Sequence, residues 1–193
     1  LRSSEVEQYS NLMSESQYMV AADTLASVNI PSVCRWLDVG GGKGTFVDEL
    51  NKSYPKVDAA VFDLPGSHSA NAKHTCIIGS FKEDELPKGY DIISLIRILY
   101  DHRDQTIENL LAKAHGALSK GGRLIVSEPM LGPDQPTLWG DVYFAMYTLA
   151  MSTGKTRSPE QISEFIKAAG FMDIKIHKAT RPFITTVIEA RRI

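Results

Sequence analysis

Four of the five residues from 40 to 44 are glycine. They stand between an apolar run, Val33–Val39, and a stretch whose apolar residues Phe46, Val47 and Leu50 recur at helical spacing. Such an order spells a buried strand, a tight turn and a helix. Glycines there can take backbone angles that a Cβ forbids, and they let the main chain approach a ligand closely. A tight connection that binds nothing also uses glycine, so the turn by itself leaves both readings open.

The spacing narrows them. Gly40, Gly42 and Gly44 follow an acid, Asp38, and Thr45 stands where the dinucleotide fingerprint has its third glycine. S-adenosylmethionine fits this turn better than NAD. Asp63 ends the next apolar run, roughly 20 residues on, where a carboxylate can accept both hydroxyls of a ribose. An exposed turn aspartate ahead of Leu64-Pro65 is the competing account.

Strand and helix signals then alternate along the chain. Strands are expected at Val33–Val39, Val57–Phe62, Thr75–Ile78, Tyr90–Leu99 and Arg123–Ser127. A helix over Val6–Val28 precedes them, a short one follows Pro65-Gly66, and one over Asp104–Leu118 stops at Gly121-Gly122. An apolar helix over Trp139–Met151 comes next, then one that starts at Ser158-Pro159-Glu160 and ends at Gly170. Met172–His177 and Phe183–Ala190, separated by Arg181-Pro182, read as an antiparallel hairpin. The expected fold is α/β, a mainly parallel sheet of seven strands with helices on both faces and an antiparallel C-terminal hairpin. Ligands of such sheets lie at the C-terminal ends of the strands.

Composition excludes several classes. A net charge of −2 gives no field to gather nucleic acid or an anionic membrane surface, and Arg191-Arg192 reads as a solvated tail. The apolar runs Val142–Met151 and Ile92–Tyr100 fall short of the ~20 residues a membrane span needs. Cys34 and Cys76 follow no secretory signal and read as free thiols of a cytoplasmic protein. His68, His74, His102, His115 and His177 are dispersed and no CxxC pair occurs, so no metal is expected. No Gly-x-Ser-x-Gly elbow marks a hydrolase.

Asp38-Val39-Gly40-Gly41-Gly42, Phe62-Asp63-Leu64-Pro65, Gly79-Ser80-Phe81, Tyr100-Asp101-His102, the run from Gly121 to Glu128 and Ala169-Gly170-Phe171 together resemble the small-molecule O-methyltransferases of the caffeate and acetylserotonin type. Within that family, Arg97 to His102, Glu128-Pro129-Met130, Gly140 to Tyr147 and Arg181-Pro182-Phe183 look most like the bacterial hydroxyneurosporene (demethylspheroidene) O-methyltransferases of carotenoid synthesis. The resemblance implies a Rossmann-like class I methyltransferase fold, S-adenosylmethionine as cofactor with S-adenosylhomocysteine as product, and a hydroxylated small molecule as acceptor. It also implies a homodimer formed through an N-terminal domain. Residues 1–30 are then a linker helix from that missing domain, and residues 31–193 the catalytic domain.

Roles carry over residue by residue. The resemblance gives the methionine end of the cofactor to Asp38, Gly40 and Gly42, the ribose to Asp63, and the adenine to Leu64 and Phe81, with Ser80 where many relatives have an aspartate and Arg97 closing that side. Plant relatives carry a histidine base where this chain has Tyr100, and a second glutamate where it has Thr156; of that trio only Glu128 remains. A tyrosine with a reference pKa near ~10 is a poor base at neutral pH. Tyr100 is therefore expected to position the acceptor hydroxyl, Glu128 to orient the pocket, and His102 either to relay the proton or to face solvent. Met13, Met130, Phe144 and Tyr147 are expected to line an apolar substrate channel, against the alternative that Met and aromatic residues at helical spacing are core. An NAD-binding oxidoreductase and a non-catalytic cofactor-binding dimerisation fragment are the competing functions.

Overall fold

Seven strands form one sheet in the order β3-β2-β1-β4-β5-β7-β6. The computed structural model describes residues 17–67, 72–132, 141–151 and 154–193. Its strands are β1 (Arg35–Val39), β2 (Asp58–Asp63), β3 (Thr75–Ile78), β4 (Tyr90–Ile96), β5 (Leu118–Glu128), β6 (Met172–His177) and β7 (Thr186–Arg191). Pairings from β3 across to β5 are parallel, and β7 joins β5 and β6 antiparallel. The expected sheet and its terminal hairpin are both present.

A parallel strand covered on both faces must be apolar along its whole length, and β1 and β4 are each buried at all positions but one. On one face α3 (Asp104–Ala117) and α5 (Pro159–Ala168) bring Ile107, Leu110, Leu111, Ile162 and Ile166 onto Leu37, Val39, Ile93 and Leu95. On the other, α1 (residues 17–27) and α2 (Thr45–Ser53) bring Val20, Ala21, Phe46, Val47 and Leu50 onto Trp36, Val61 and Ile92. Each such side chain contributes roughly 1.5–3 kcal/mol by leaving water. No helix among the described residues is long and apolar enough to cross a membrane.

Residues 17–27 belong to this core and do not hang from it. Arg181 donates to both carboxylate oxygens of the buried Asp23, at 3.0 and 2.7 Å, and Thr24, Ser127 and Thr185 share a buried chain of hydroxyl hydrogen bonds. The earlier part of the expected Val6–Val28 helix lies outside the described residues, as do Met13 and most of the helix expected after Pro65-Gly66.

Three strand boundaries differ from the sequence expectation by three residues or more. β4 ends at Ile96 and not at Leu99, because Arg97 turns into the left-handed region (φ 60) and Leu99–Asp101 closes a 3₁₀ turn. β5 begins at Leu118, so Gly121 and Gly122 lie inside an irregular strand start and do not act as the stop of α3. The last strand starts at Thr186, since Arg181 O accepts the amides of Ile184 and Thr185 in a turn that uses up Phe183. No helix separates β3 from β4 either. Ser80 O accepts from Glu83 N and Asp84 N, and then Pro87 and the left-handed Gly89 prevent a helix from continuing. α4 is described over Tyr143–Met151, and α5 opens with the anticipated cap, in which Ser158 and Gln161 exchange side-chain to backbone hydrogen bonds.

Candidate active site

Sheet order reverses between β1 and β4, and the crevice at such a switch point, beyond the C-terminal ends of the strands, is where open α/β sheets take ligands. β1 ends there in the glycine turn. Gly40, Gly42 and Gly44 have φ of 74, 56 and 81°, so alternate residues are left-handed. A Cβ on Gly40 would run into Ile98 Cδ1 and one on Gly44 into the His74 ring, whereas one on Gly42 would meet nothing within 4 Å. The turn is thus packed from behind and open at Gly42, a cradle that a cofactor can press against. Free space of this kind at a strand-end turn fits the close approach of S-adenosylmethionine.

Two carboxylates brace the turn. Asp63, at the end of β2, accepts from Gly42 N at 2.7 Å and from Leu64 N at 2.6 Å. Asp38 is fully buried beneath it, and its Oδ1 accepts from Ser94 Oγ at 2.6 Å, which in turn accepts from Trp36 Nε1 at 2.8 Å. Burial pushes the Asp38 carboxyl up to about 7, with Ser94 opposing and Asp63 adding to the rise. Asp38 therefore supports the turn from below, under Gly41, and is not exposed at its mouth.

The expected adenine side is assembled one strand further out. Leu64 is exposed, Phe81 is half-buried, and Ser80 Oγ accepts from Lys82 N at 3.3 Å. The His102 ring meets Phe81 edge-on at 5.3 Å, which sets His102 on the cofactor side of the crevice. Burial first, then Lys82 and Arg157, lowers its pKa to about 4. Arg97, at the end of β4, donates its backbone amide to Ser127 O, and its charge acts on Tyr100 and Asp101.

Tyr100 sits in the 3₁₀ turn that follows β4 and is fully buried. Its ring lies tilted by 33° at 5.8 Å from Tyr147 and meets Phe144 edge-on at 6.2 Å, so α4 brings two of the expected substrate residues to it. Met130 is buried with the core side chains below. Burial drives the Tyr100 hydroxyl up to about 12, against the pull of Arg97 and Tyr147. Glu128, at the end of β5, is fully buried; its Oε2 accepts from Leu99 N at 2.8 Å and Tyr100 N at 3.3 Å, while Oε1 has no partner. Burial raises it to about 8, so this carboxyl is mostly neutral at pH 7. Thr156 Oγ1, where plant relatives carry a glutamate, is also buried and without a partner.

Sequence reasoning overlooked four residues here. Ser94 holds Asp38, Ile98 backs Gly40, His74 backs Gly44 while its Nδ1 lies 3.1 Å from Asp48 Oδ1, and Arg157 is buried against the Tyr100 turn. None belongs to a spacing pattern. Among the described residues no group of three or more His, Cys, Asp or Glu is arranged to hold a metal ion.

A left-handed glycine turn at the switch point of a sheet that ends in an antiparallel hairpin defines the class I methyltransferase fold. A family model described as O-methyltransferase domain matches residues 2–172, and the chain belongs to that family. It is 49% identical over 190 residues to the demethylspheroidene O-methyltransferase of Rhodobacter capsulatus, covering 96% of this chain and 48% of that protein. The enzyme of the same name from Cereibacter sphaeroides is 42% identical over 194 residues, at 95% and 51% coverage. Human N-acetylserotonin methyltransferase, solved in complex with SAM, superposes with a TM-score of 0.85 at 27% identity over 96% of this chain and 55% of that one. The chain thus spans about half the length of the curated relatives it matches. NAD-dependent oxidoreduction finds no support in these likenesses.

Proposed function

We propose that this chain is the catalytic domain of an S-adenosylmethionine-dependent O-methyltransferase that acts on a hydroxyl of an apolar small molecule, a hydroxycarotenoid of the demethylspheroidene kind. One observation carries the reading: a buried tyrosine packed against Phe144 and Tyr147 lies on the turn after β4, and Ile98 just ahead of it backs Gly40 of the glycine turn. The named relatives support the acceptor.

When bound, S-adenosylmethionine supplies an electrophilic methyl group on a sulfonium. The residues for it are the backbone of Gly40 to Gly42, with Asp63 for the ribose and Leu64 and Phe81 for the base. Ser80 and Arg97 complete that side, and Asp38 acts through the turn. The acceptor oxygen gains the methyl and its proton passes to solvent, because Tyr100, raised to about 12, stays protonated at neutral pH and cannot take it. Its part is to hold the acceptor oxygen by a hydrogen bond. Alignment of two reactants can by itself supply ~7 kcal/mol or more. Glu128 holds the Tyr100 turn through two backbone amides. Phe144 and Tyr147 favour an apolar acceptor.

The homodimer belongs to the same proposal, with residues 1–30 leading in from a helical domain in the half of the relatives' length that this chain does not span. Exposed Tyr143, Met146 and Leu149 on α4 suit a covering partner.

Incubating the full-length protein with the cofactor and a panel of hydroxylated carotenoids, phenols and polyketides tests the reading. A mass gain of one methyl group on a carotenoid alcohol is the expected result. Absence of S-adenosylhomocysteine binding overturns the cofactor assignment, and methylation confined to phenols overturns the acceptor.

A further inference from the structure

The turn that carries Tyr100 is held by its main chain from two sides, and one of the two holders is a fully buried arginine. Arg157 is 1% exposed and lies on the segment that crosses the turn just before α5. Its Nη1 donates to Leu99 O at 3.1 Å and Lys155 O at 2.9 Å, its Nη2 to His102 O at 2.9 Å and Asp104 Oδ1 at 2.5 Å, and its Nε to Asp104 Oδ1 at 3.0 Å. Lys155 N donates to Tyr100 O at 2.9 Å, and Gly154 lies so close that a Cβ there would strike the same oxygen. Opposite, Glu128 accepts the amides of Leu99 and Tyr100. Glu128 therefore takes the donors of the turn while Arg157 and Lys155 N take its acceptors.

We propose that Arg157 is a positioning residue for methyl transfer: its guanidinium fixes residues 99–104 so that the Tyr100 hydroxyl stands at one place relative to the glycine turn. This rests on the function proposed above. A planar fork with five donors can bridge two carbonyls of the turn, the carbonyl of its own segment and a carboxylate at once, which a single ammonium cannot do. Burying a charge so deeply is tolerated only when its hydrogen bonds are met, and here four acceptor atoms, all in residues 99–104 or 155, meet them. Leu99 alone of that set is also packed in the core, and the guanidinium lies 5.8 Å over the Phe165 ring of α5. Its hydrogen bonds outside its own segment all go to residues 99–104, the stretch that carries Tyr100, Asp101 and His102.

The test uses the full-length protein with Arg157→Lys and the milder Asp104→Asn, which withdraws only the carboxylate partner. Amide hydrogen exchange is expected to rise across residues 99–104 in both variants and to stay unchanged at Gly40–Gly44. S-adenosylhomocysteine affinity should stay within about threefold of wild type while kcat falls by at least ~10-fold in Arg157→Lys, the pattern of an interaction needed at the transition state. In a Tyr100→Phe background the Arg157→Lys loss should shrink severalfold, since both changes act through one hydroxyl. Independent, multiplying losses overturn the proposal, and so does exchange that rises evenly over the whole domain with kcat per folded molecule unchanged. A wild-type protein inert towards every acceptor sinks the functional reading instead, and the exchange measurement still decides whether Arg157 holds the turn.

Discussion

Asp63 Oδ2 accepts a hydrogen bond from Gly42 N at 2.7 Å, so the acid that ends the second strand is built into the turn that ends the first. Its other oxygen is engaged by Leu64 N at 2.6 Å. The carboxylate thereby fixes the open side of the turn, and a ribose that takes up this acid must share it with the Gly42 amide. The ribose role proposed for Asp63 is thus added to a task that it already has in the fold.

Replacing Asp63 by Asn keeps one carbonyl acceptor and removes the charge. We expect S-adenosylhomocysteine affinity to fall by ~10-fold or more, and stability by about 1–2 kcal/mol through the weakened Gly42 bond. Calorimetric titration and thermal unfolding of the same sample separate the two. Unchanged affinity would take Asp63 out of the cofactor site.

Gly40 and Gly42 share a left-handed backbone but differ in what surrounds them. Gly40→Ala forces a Cβ into Ile98 in addition to backbone strain, so it should lower stability by about 2–4 kcal/mol. Gly42→Ala meets only the strain, about 1–2 kcal/mol, yet its methyl enters the cradle. A loss of cofactor affinity out of proportion to the loss of stability is therefore expected at Gly42 alone. Equal behaviour of the two variants would mean that nothing binds against the open face.

Glu128 ties stability to pH. Its carboxyl rises from 4.5 unfolded to about 8 folded, so between those values the folded state holds the extra proton. Stability from this group is complete below pH 4.5 and is lost as pH climbs through about 8. Glu128→Gln retains an oxygen for the amides of Leu99 and Tyr100 and cannot ionise. The variant should gain on the wild type in unfolding free energy as pH rises through that window, even though buried Asp38 contributes a similar slope to both proteins. Parallel curves for the two proteins would show that Glu128 is charged in the fold.

The glycine turn and Asp63 were legible because their chemistry is local: three left-handed positions require glycine, and a strand-end acid follows at a fixed distance. The sheet with its hairpin was legible because apolar runs have few other uses. What stayed hidden depends on tertiary contact. Arg97 is left-handed without being glycine, so nothing in the chain announces that β4 ends there. Gly121 and Gly122 resemble a helix stop, but pairing of Leu118 with Tyr90 of β4 draws the chain into a strand before them. Arg157 binds backbone carbonyls of residues far away in sequence, and a carbonyl leaves no trace in the residue type. Asp38 reads as a ligand residue because the motif shows its place in the chain and not its burial.

Burial shifts His102 and Asp101 in ways that a pH profile can tell apart. Burial lowers His102 to about 4, so its ring does not change charge near neutrality. Burial lifts Asp101 to about 6, with Arg97 opposing, and its Oδ1 is buried without a partner. If the ionised carboxylate at Asp101 assists departure of the acceptor proton, kcat should rise with pH through about 6. That limb should persist in His102→Gln and vanish in Asp101→Asn, with kcat lowered by about 10²-fold or more in the second variant, the usual worth of a positioned base. Rate profiles measured from pH 5 to pH 9 at saturating cofactor decide it (about 1.4 kcal/mol per tenfold change). A limb that disappears with His102 instead would return the proton relay to the imidazole and leave Asp101 as a partner of Arg97.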